Sequence, residues 1–121
     1  MKRKKPKGLD AATLNYVVSG SLVLTAILHL GSGALLPAAS EFRLPFLGFG
    51  LAFLAAGVWT RKGGRPSIIG AMVLCAVGLA AGGSKFIAGP APMTLPLMLL
   101  IDMAVIAAGA VWLAKTGGKR A

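Results

Sequence analysis

The sequence predicts an all-α fold: an integral membrane, up-down bundle of four helices. Three observations predict it. First, eleven of the thirteen Lys and Arg residues fall in three clusters: Lys2, Arg3, Lys4, Lys5 and Lys7; Arg61, Lys62 and Arg65; and Lys115, Lys119 and Arg120. Second, the two intervals between these clusters are almost wholly apolar, and each is long enough to cross a bilayer twice. Third, hydrophobic residues make up 56% of the chain and charged residues 13%, whereas soluble chains carry about 25% charged residues. Short loops rich in Lys and Arg stay on the cytoplasmic side. Three clusters on one side, separated by two double crossings, place both termini in the cytoplasm. The expected location is a bacterial inner (cytoplasmic) membrane.

The 121 residues suffice for one domain. A soluble domain of this size buries only about 60–70% of its surface and could not hide so much apolar area. The net charge of +10 therefore reads as topology, together with attraction to anionic lipid at the basic tails. Nucleic acid is not an expected partner, because no soluble domain exists to carry a site.

Residues 1–12 form the expected N-terminal basic tail, with Asp10 or Thr13 available to cap the first helix. Helix one is expected over about 13–36 and ends at Pro37. Its uncharged run from Ala11 to Ser40 is much longer than the 7–15 residues of a signal-peptide core, so it reads as a retained span. A short outer loop carries Glu41 and Arg43. Helix two is expected over about 44–60, with Pro45 in its first turn, where a missing N–H costs nothing. Arg61-Lys62-Gly63-Gly64-Arg65 is a tight cytoplasmic turn. Helix three is expected over about 66–87, followed by the rigid outer loop Gly89-Pro90-Ala91-Pro92. Helix four is expected over about 94–114, and residues 115–121 form a second basic tail. Short loops make neighbouring helices antiparallel.

The chain has 17 glycines. In a soluble helix each would cost up to about 1 kcal/mol; in lipid, small residues let helix backbones approach. Gly78 and Gly82 form a GxxxG pair on helix three. Gly48, Ala52 and Ala56 give a small stripe at spacing four on helix two, and Ala104 and Ala108 do so on helix four. These faces suit packing within the bundle or against a neighbouring helix. Trp59 and Trp112 lie near the inner ends of helices two and four, where an aromatic belt places interface anchors. Cys75 reads as a small core residue.

Three polar residues within the spans need a reason, since an intramembrane charge costs about 2.5–3.5 kcal/mol on insertion scales. They are His29, Lys85 and Asp102. At about 1.5 Å per residue their depths from the outer helix ends are roughly 9, 4 and 12 Å, all in the outer half. The expected arrangement is a Lys85–Asp102 ion pair with His29 nearby and Glu41 and Arg43 at the mouth. It would serve either as a structural clasp or as a site for a proton, a quinone head or a lipid head. The long stem of Lys85 also allows it to snorkel outward. No Cys or second His stands at ligand spacing to His29, so neither a metal site nor a haem is expected, and no cofactor is called for. One His and two Asp lie too far apart in the sequence to argue a catalytic triad, and Gly48-x-Gly50 lacks the strand–turn–helix setting of a nucleotide fingerprint.

Glu41-Phe42-Arg43 before Phe46-Leu47-Gly48 and Gly50-Leu51, then Gly82-Gly83-Ser84-Lys85, Gly89-Pro90-Ala91-Pro92 and Asp102 in an apolar last helix, resemble small bacterial four-helix proteins related to the DoxX-like group. The resemblance spans most of residues 14–114. It implies the four-helix fold and little about activity. In that group Arg and Glu are expected where this chain has Lys85 and Asp102, a change that keeps charge and loses the forked guanidinium geometry.

Small size, tiny loops and glycine-rich faces lead to the expectation of a non-enzymatic accessory or assembly subunit of a larger membrane complex, or of a homo-oligomer. The alternative is a small transporter or lipid- or quinone-binding protein whose outward-facing pocket lies around His29, Lys85 and Asp102. A holin-like pore fits the basic tail, but no helix shows an obvious polar face.

Overall fold

The computed structural model describes residues 10–90 and 92–120, with side chains described as far as residue 116. Residues 1–9, and with them the N-terminal basic cluster, lie outside the described residues, as do Ala91 and the side chains of Lys119 and Arg120. Among the described residues the fold is all-helical: α1 (Ala11–Leu35), α2 (Arg43–Thr60), α3 (Gly64–Ala88) and α4 (Thr94–Arg120). All four are long and apolar enough to cross a membrane.

Local chemistry sets most of the helix ends. The Asp10 carboxylate accepts from the Thr13 N–H at 2.8 Å, satisfying one of the free donors of the first turn of α1. Leu36 leaves the helix in an extended conformation (φ −75°, ψ 150°), because the ring of Pro37 disfavours helical geometry in the residue before it. Pro45, Pro66 and Pro96 each fall in the first turn of their helix, where no intrahelical N–H bond is lost. The α2–α3 turn closes at Gly64, whose φ of +69° suits a residue without Cβ. The fourth helix departs from expectation: it continues past residue 114, through Gly117 and Gly118, to Arg120. Two glycines weaken a helix end by about 1 kcal/mol each but do not stop it as a proline would.

Each helix packs on two neighbours. The α1–α2 contact is the most extensive, α1–α4 and α3–α4 are intermediate, and α2–α3 is the sparsest. Glycines carry the α1–α2 seam. A Cβ built on Gly50 would come within 2.7 Å of Leu30 Cγ, one on Gly33 within 2.9 Å of Leu47, and one on Gly57 within 2.9 Å of Val23. Asn15 Nδ2 donates to the Thr60 carbonyl at 2.8 Å and Ser19 Oγ to the Gly57 carbonyl at 3.1 Å. Arg61 donates to Asn15 Oδ1, and its guanidinium lies 3.9 Å from the centroid of the Tyr16 ring. Thus the start of α1 sits beside the end of α2. At the other end of the bundle Ser32 and Thr94 share a hydrogen bond of 2.9 Å, joining the last turns of α1 to the start of α4.

The interior has two apolar clusters. The larger contains Leu14, Leu22, Phe53, Ile68, Cys75 and Val105. The smaller contains Phe42, Phe46, Leu95 and Met98. Large apolar side chains such as Leu24, Ile27, Leu51, Val73 and Leu100 point outward, as they do in a bundle whose solvent is lipid.

Candidate functional site

A partly enclosed cavity of about 270 Å³ lies among all four helices, in the half that holds the ends of α1 and α3 and the starts of α2 and α4. His29 lines it from α1 and Asp102 from α4. Phe46 and Phe49 line it from α2, and Gly78, Gly82 and Lys85 from α3. Helical spacing explains the convergence. Residues 42, 46, 49 and 53 fall on one face of the α2 region, residues 75, 78, 82 and 85 on one face of α3, and residues 95, 98 and 102 on one face of α4.

Asp102 lies about two turns inside α4 and is 1% exposed. Its Oδ1 has no hydrogen-bond partner among the described residues. Oδ2 lies close over α3, where a Cβ built on Gly78 would come within 2.9 Å of it. The Cys75 thiol, one turn before Gly78, neighbours the same carboxyl. A buried polar atom without a partner costs about 1–3 kcal/mol, so this oxygen is unusual in so apolar a setting.

His29 is 6% exposed. Its Nδ1 lies 2.7 Å from the Thr25 carbonyl and 3.2 Å from Thr25 Oγ1. A carbonyl only accepts, so Nδ1–H donates to it, and in the neutral ring Nε2 is then the acceptor. Three phenylalanines hold the imidazole: the ring centroids of Phe53, Phe46 and Phe49 stand 4.9, 5.4 and 6.3 Å away.

Lys85 corrects the expected ion pair. Its Nζ bonds Glu41 Oε1 at 2.9 Å, not Asp102. The reason is depth. Lys85 is in the last turn of α3, while Asp102 is two turns inside α4, so the ammonium extends outward to the helix ends, where charge is better solvated. The pair is exposed on both sides, at 46% and 65%, and such pairs contribute about 0–1 kcal/mol. Nζ also sits 5.8 Å from the Phe42 ring centroid. The pair therefore tethers the end of α3 to the loop before α2, beside the cavity. Arg43, expected at the mouth, opens α2 and is not among the residues that line the cavity.

The small residues divide into two sets. Gly78 and Gly82 face α4 inside the bundle; a Cβ on Gly82 would come within 3.0 Å of Leu99. Ala56 is buried in the larger cluster. Gly48 has open space where its Cβ would be, and together with Ala52 it lines a shallow groove toward α3. Trp59 lies across the α2–α3 hairpin: a Cβ on Gly70 would meet its ring at 2.8 Å, and the side chain is 49% exposed. Trp112 is partly buried against the larger cluster.

Three features of the site escaped sequence reasoning: the phenylalanine face of α2, the Thr25 anchor of His29, and the contact of Cys75 with Asp102. The first had a signal, since phenylalanines at 42, 46, 49 and 53 recur at the helical period. The Thr25 anchor also had one, since Thr25 stands one helical turn before His29; the contact of Cys75 with Asp102 depends on how α3 and α4 are rotated about their axes. No family model, no curated protein and no solved structure matches the chain.

Proposed function

We propose that this chain is a non-enzymatic, four-span membrane protein that binds a small apolar molecule bearing a hydroxyl donor, held between Asp102 and His29. The observation that carries this reading is the buried Asp102 Oδ1, unpartnered among the described residues, at the wall of an apolar cavity. A carboxyl keeps acceptor capacity in either protonation state, and Nε2 of a neutral His29 accepts as well. Two acceptors on the neighbouring helices α1 and α4 call for a donor from the occupant. A hydroxyl supplies one without adding a charge. A cationic ligand would also meet the Lys85 ammonium, which lines the same cavity. Size is adequate: an apolar cavity of about 150 Å³ takes up benzene, and this one measures about 270 Å³.

The bundle is read as up-down, with both termini and the Arg61–Arg65 turn at the cytoplasmic face of a bacterial inner membrane. The pairings of Asn15 with Thr60, of Ser32 with Thr94, and of Gly82 with Leu99 alongside Met72 with Gly109 support antiparallel neighbours, and the positions of the basic clusters support the orientation. The cavity then opens in the outer half. The DoxX-like resemblance supports the fold alone.

The test compares 4-fluorophenol with 4-fluoroanisole by ¹⁹F NMR titration of the protein in lipid nanodiscs. The methyl ether has the same ring and no donor. Leaving a buried acceptor unpaired costs about 1–3 kcal/mol, so the phenol binds roughly tenfold more tightly to the wild type, and Asp102→Leu removes the difference. Equal affinity of the two probes for the wild type would sink the reading.

A further inference from the structure

The cavity does not stand alone. A shallow groove of about 290 Å³ runs beside it between α2 and α3, lined by Pro45, Gly48, Phe49, Ala52 and Leu74. Pro45 and Phe49 line both the groove and the cavity, so the two spaces adjoin at these two side chains. The seam is the one where neighbouring helices touch least. Pro45, Ala81 and Lys85, which line the cavity from α2 and α3, are surface-exposed. The groove is entirely apolar in its lining, and it opens to the outside of the bundle within the span of two membrane-crossing helices.

From this adjacency we infer that the ligand is single-tailed and arrives sideways from the bilayer: its hydroxylated head fills the cavity and its hydrocarbon tail passes Pro45 and Phe49 to lie in the α2–α3 groove over Gly48 and Ala52. The inference rests on the proposed head site and adds the ligand's shape and its route. Lateral access avoids water altogether, so an apolar tail never leaves a hydrocarbon setting. It also gives Gly48 and Ala52 a role that helix packing does not. A Cβ at Gly48 would meet nothing within 4 Å, so no packing contact requires a glycine there, whereas a side chain at that position would occupy the groove. Of the other small positions of α2, Gly50, Ala56 and Gly57 are buried, and Ala55 is exposed but does not line the groove.

The experiment uses two probes and two variants in nanodiscs of one lipid composition, so that partitioning into the bilayer cancels between proteins. The probes are 4-fluorophenol, which has no tail, and 2-fluoro-4-octylphenol, which has one. Gly48→Leu fills the groove, and Leu51→Phe adds bulk to a neighbouring exposed position of α2 outside it. Overfilling a fitted site costs on the order of a tenfold or greater loss of affinity. Gly48→Leu is therefore expected to weaken the octyl probe about tenfold while leaving 4-fluorophenol unchanged, and Leu51→Phe to leave both unchanged. If Gly48→Leu binds both probes as the wild type does, the tail does not use this groove and the inference fails while the head site stands. Loss of both probes in Gly48→Leu alone would also overturn it, because groove and cavity would not act as separate subsites. Failure of the wild type to bind either probe would remove the head site itself.

Discussion

Asp102 and Gly78 illustrate how closely one residue of this site depends on another. The carboxyl can sit at 1% exposure because α3 presents no side chain where a Cβ on Gly78 would come within 2.9 Å of Oδ2 and 3.4 Å of Phe53. Gly78→Ala should therefore lower stability by about 1–3 kcal/mol, the usual cost of overfilling a packed interior, and weaken 4-fluorophenol binding by displacing the carboxyl. Gly83→Ala is the matched control, since a Cβ there meets nothing within 4 Å. Unfolding of both variants in mixed micelles checks the difference; equal stability would mean that the α3–α4 contact adapts freely. At this level the sequence was partly legible. His29 and Asp102 stood out because polar groups in apolar spans are expensive. The partner of Lys85 did not, because the reach of a long flexible stem depends on what stands at the helix end, and Glu41 comes from a different loop.

Among the helices, the glycines of α2 separate by face. Gly50 lies against Leu30 on α1, whereas two residues earlier Gly48 faces open space. Gly50→Ala should destabilise the bundle by about 1–3 kcal/mol through overpacking. Gly48→Ala should leave stability unchanged or raise it by up to about 1 kcal/mol through helix propensity. A pair of unfolding curves decides the matter, and equal losses would contradict the glycine-carried α1–α2 seam. The helices themselves were well marked in the sequence. Proline at 37, 45, 66 and 96 and the Asp10 cap act through local sterics and hydrogen bonding, so their effects can be read without tertiary structure. The end of α4 was less legible, because a Gly-Gly step permits both a stop and a continuation. Which glycines meet a neighbour was not legible either. Gly48 and Gly50 differ only in how α2 is rotated against α1, and the stripe at 48, 52 and 56 proved to mix groove-facing and buried positions.

For the molecule as a whole, the basic clusters and the cavity should lie at opposite membrane faces. In a Cys75→Ala background, Lys62→Cys should react with an impermeant maleimide only after the cells are opened, and Ala39→Cys should react in intact cells. The reverse pattern would turn the cavity toward the cytoplasm. The four long apolar helices were readable from hydropathy and charge placement, because both act over whole spans and not through single contacts. A pocket around His29, Lys85 and Asp102 was also expected, and all three line the cavity, but its phenylalanine wall was not, since it arises where the helix faces meet and no single span reveals it. The measurement to make first is a set of intermolecular NOEs from the ring protons of bound 4-fluorophenol in nanodiscs. Contacts to the His29 ring and to Phe46 and Phe49 are predicted, with the hydroxyl toward Asp102. Contacts confined to outward-facing residues such as Leu54 and Val58, with none to His29, would contradict a ligand site inside the bundle.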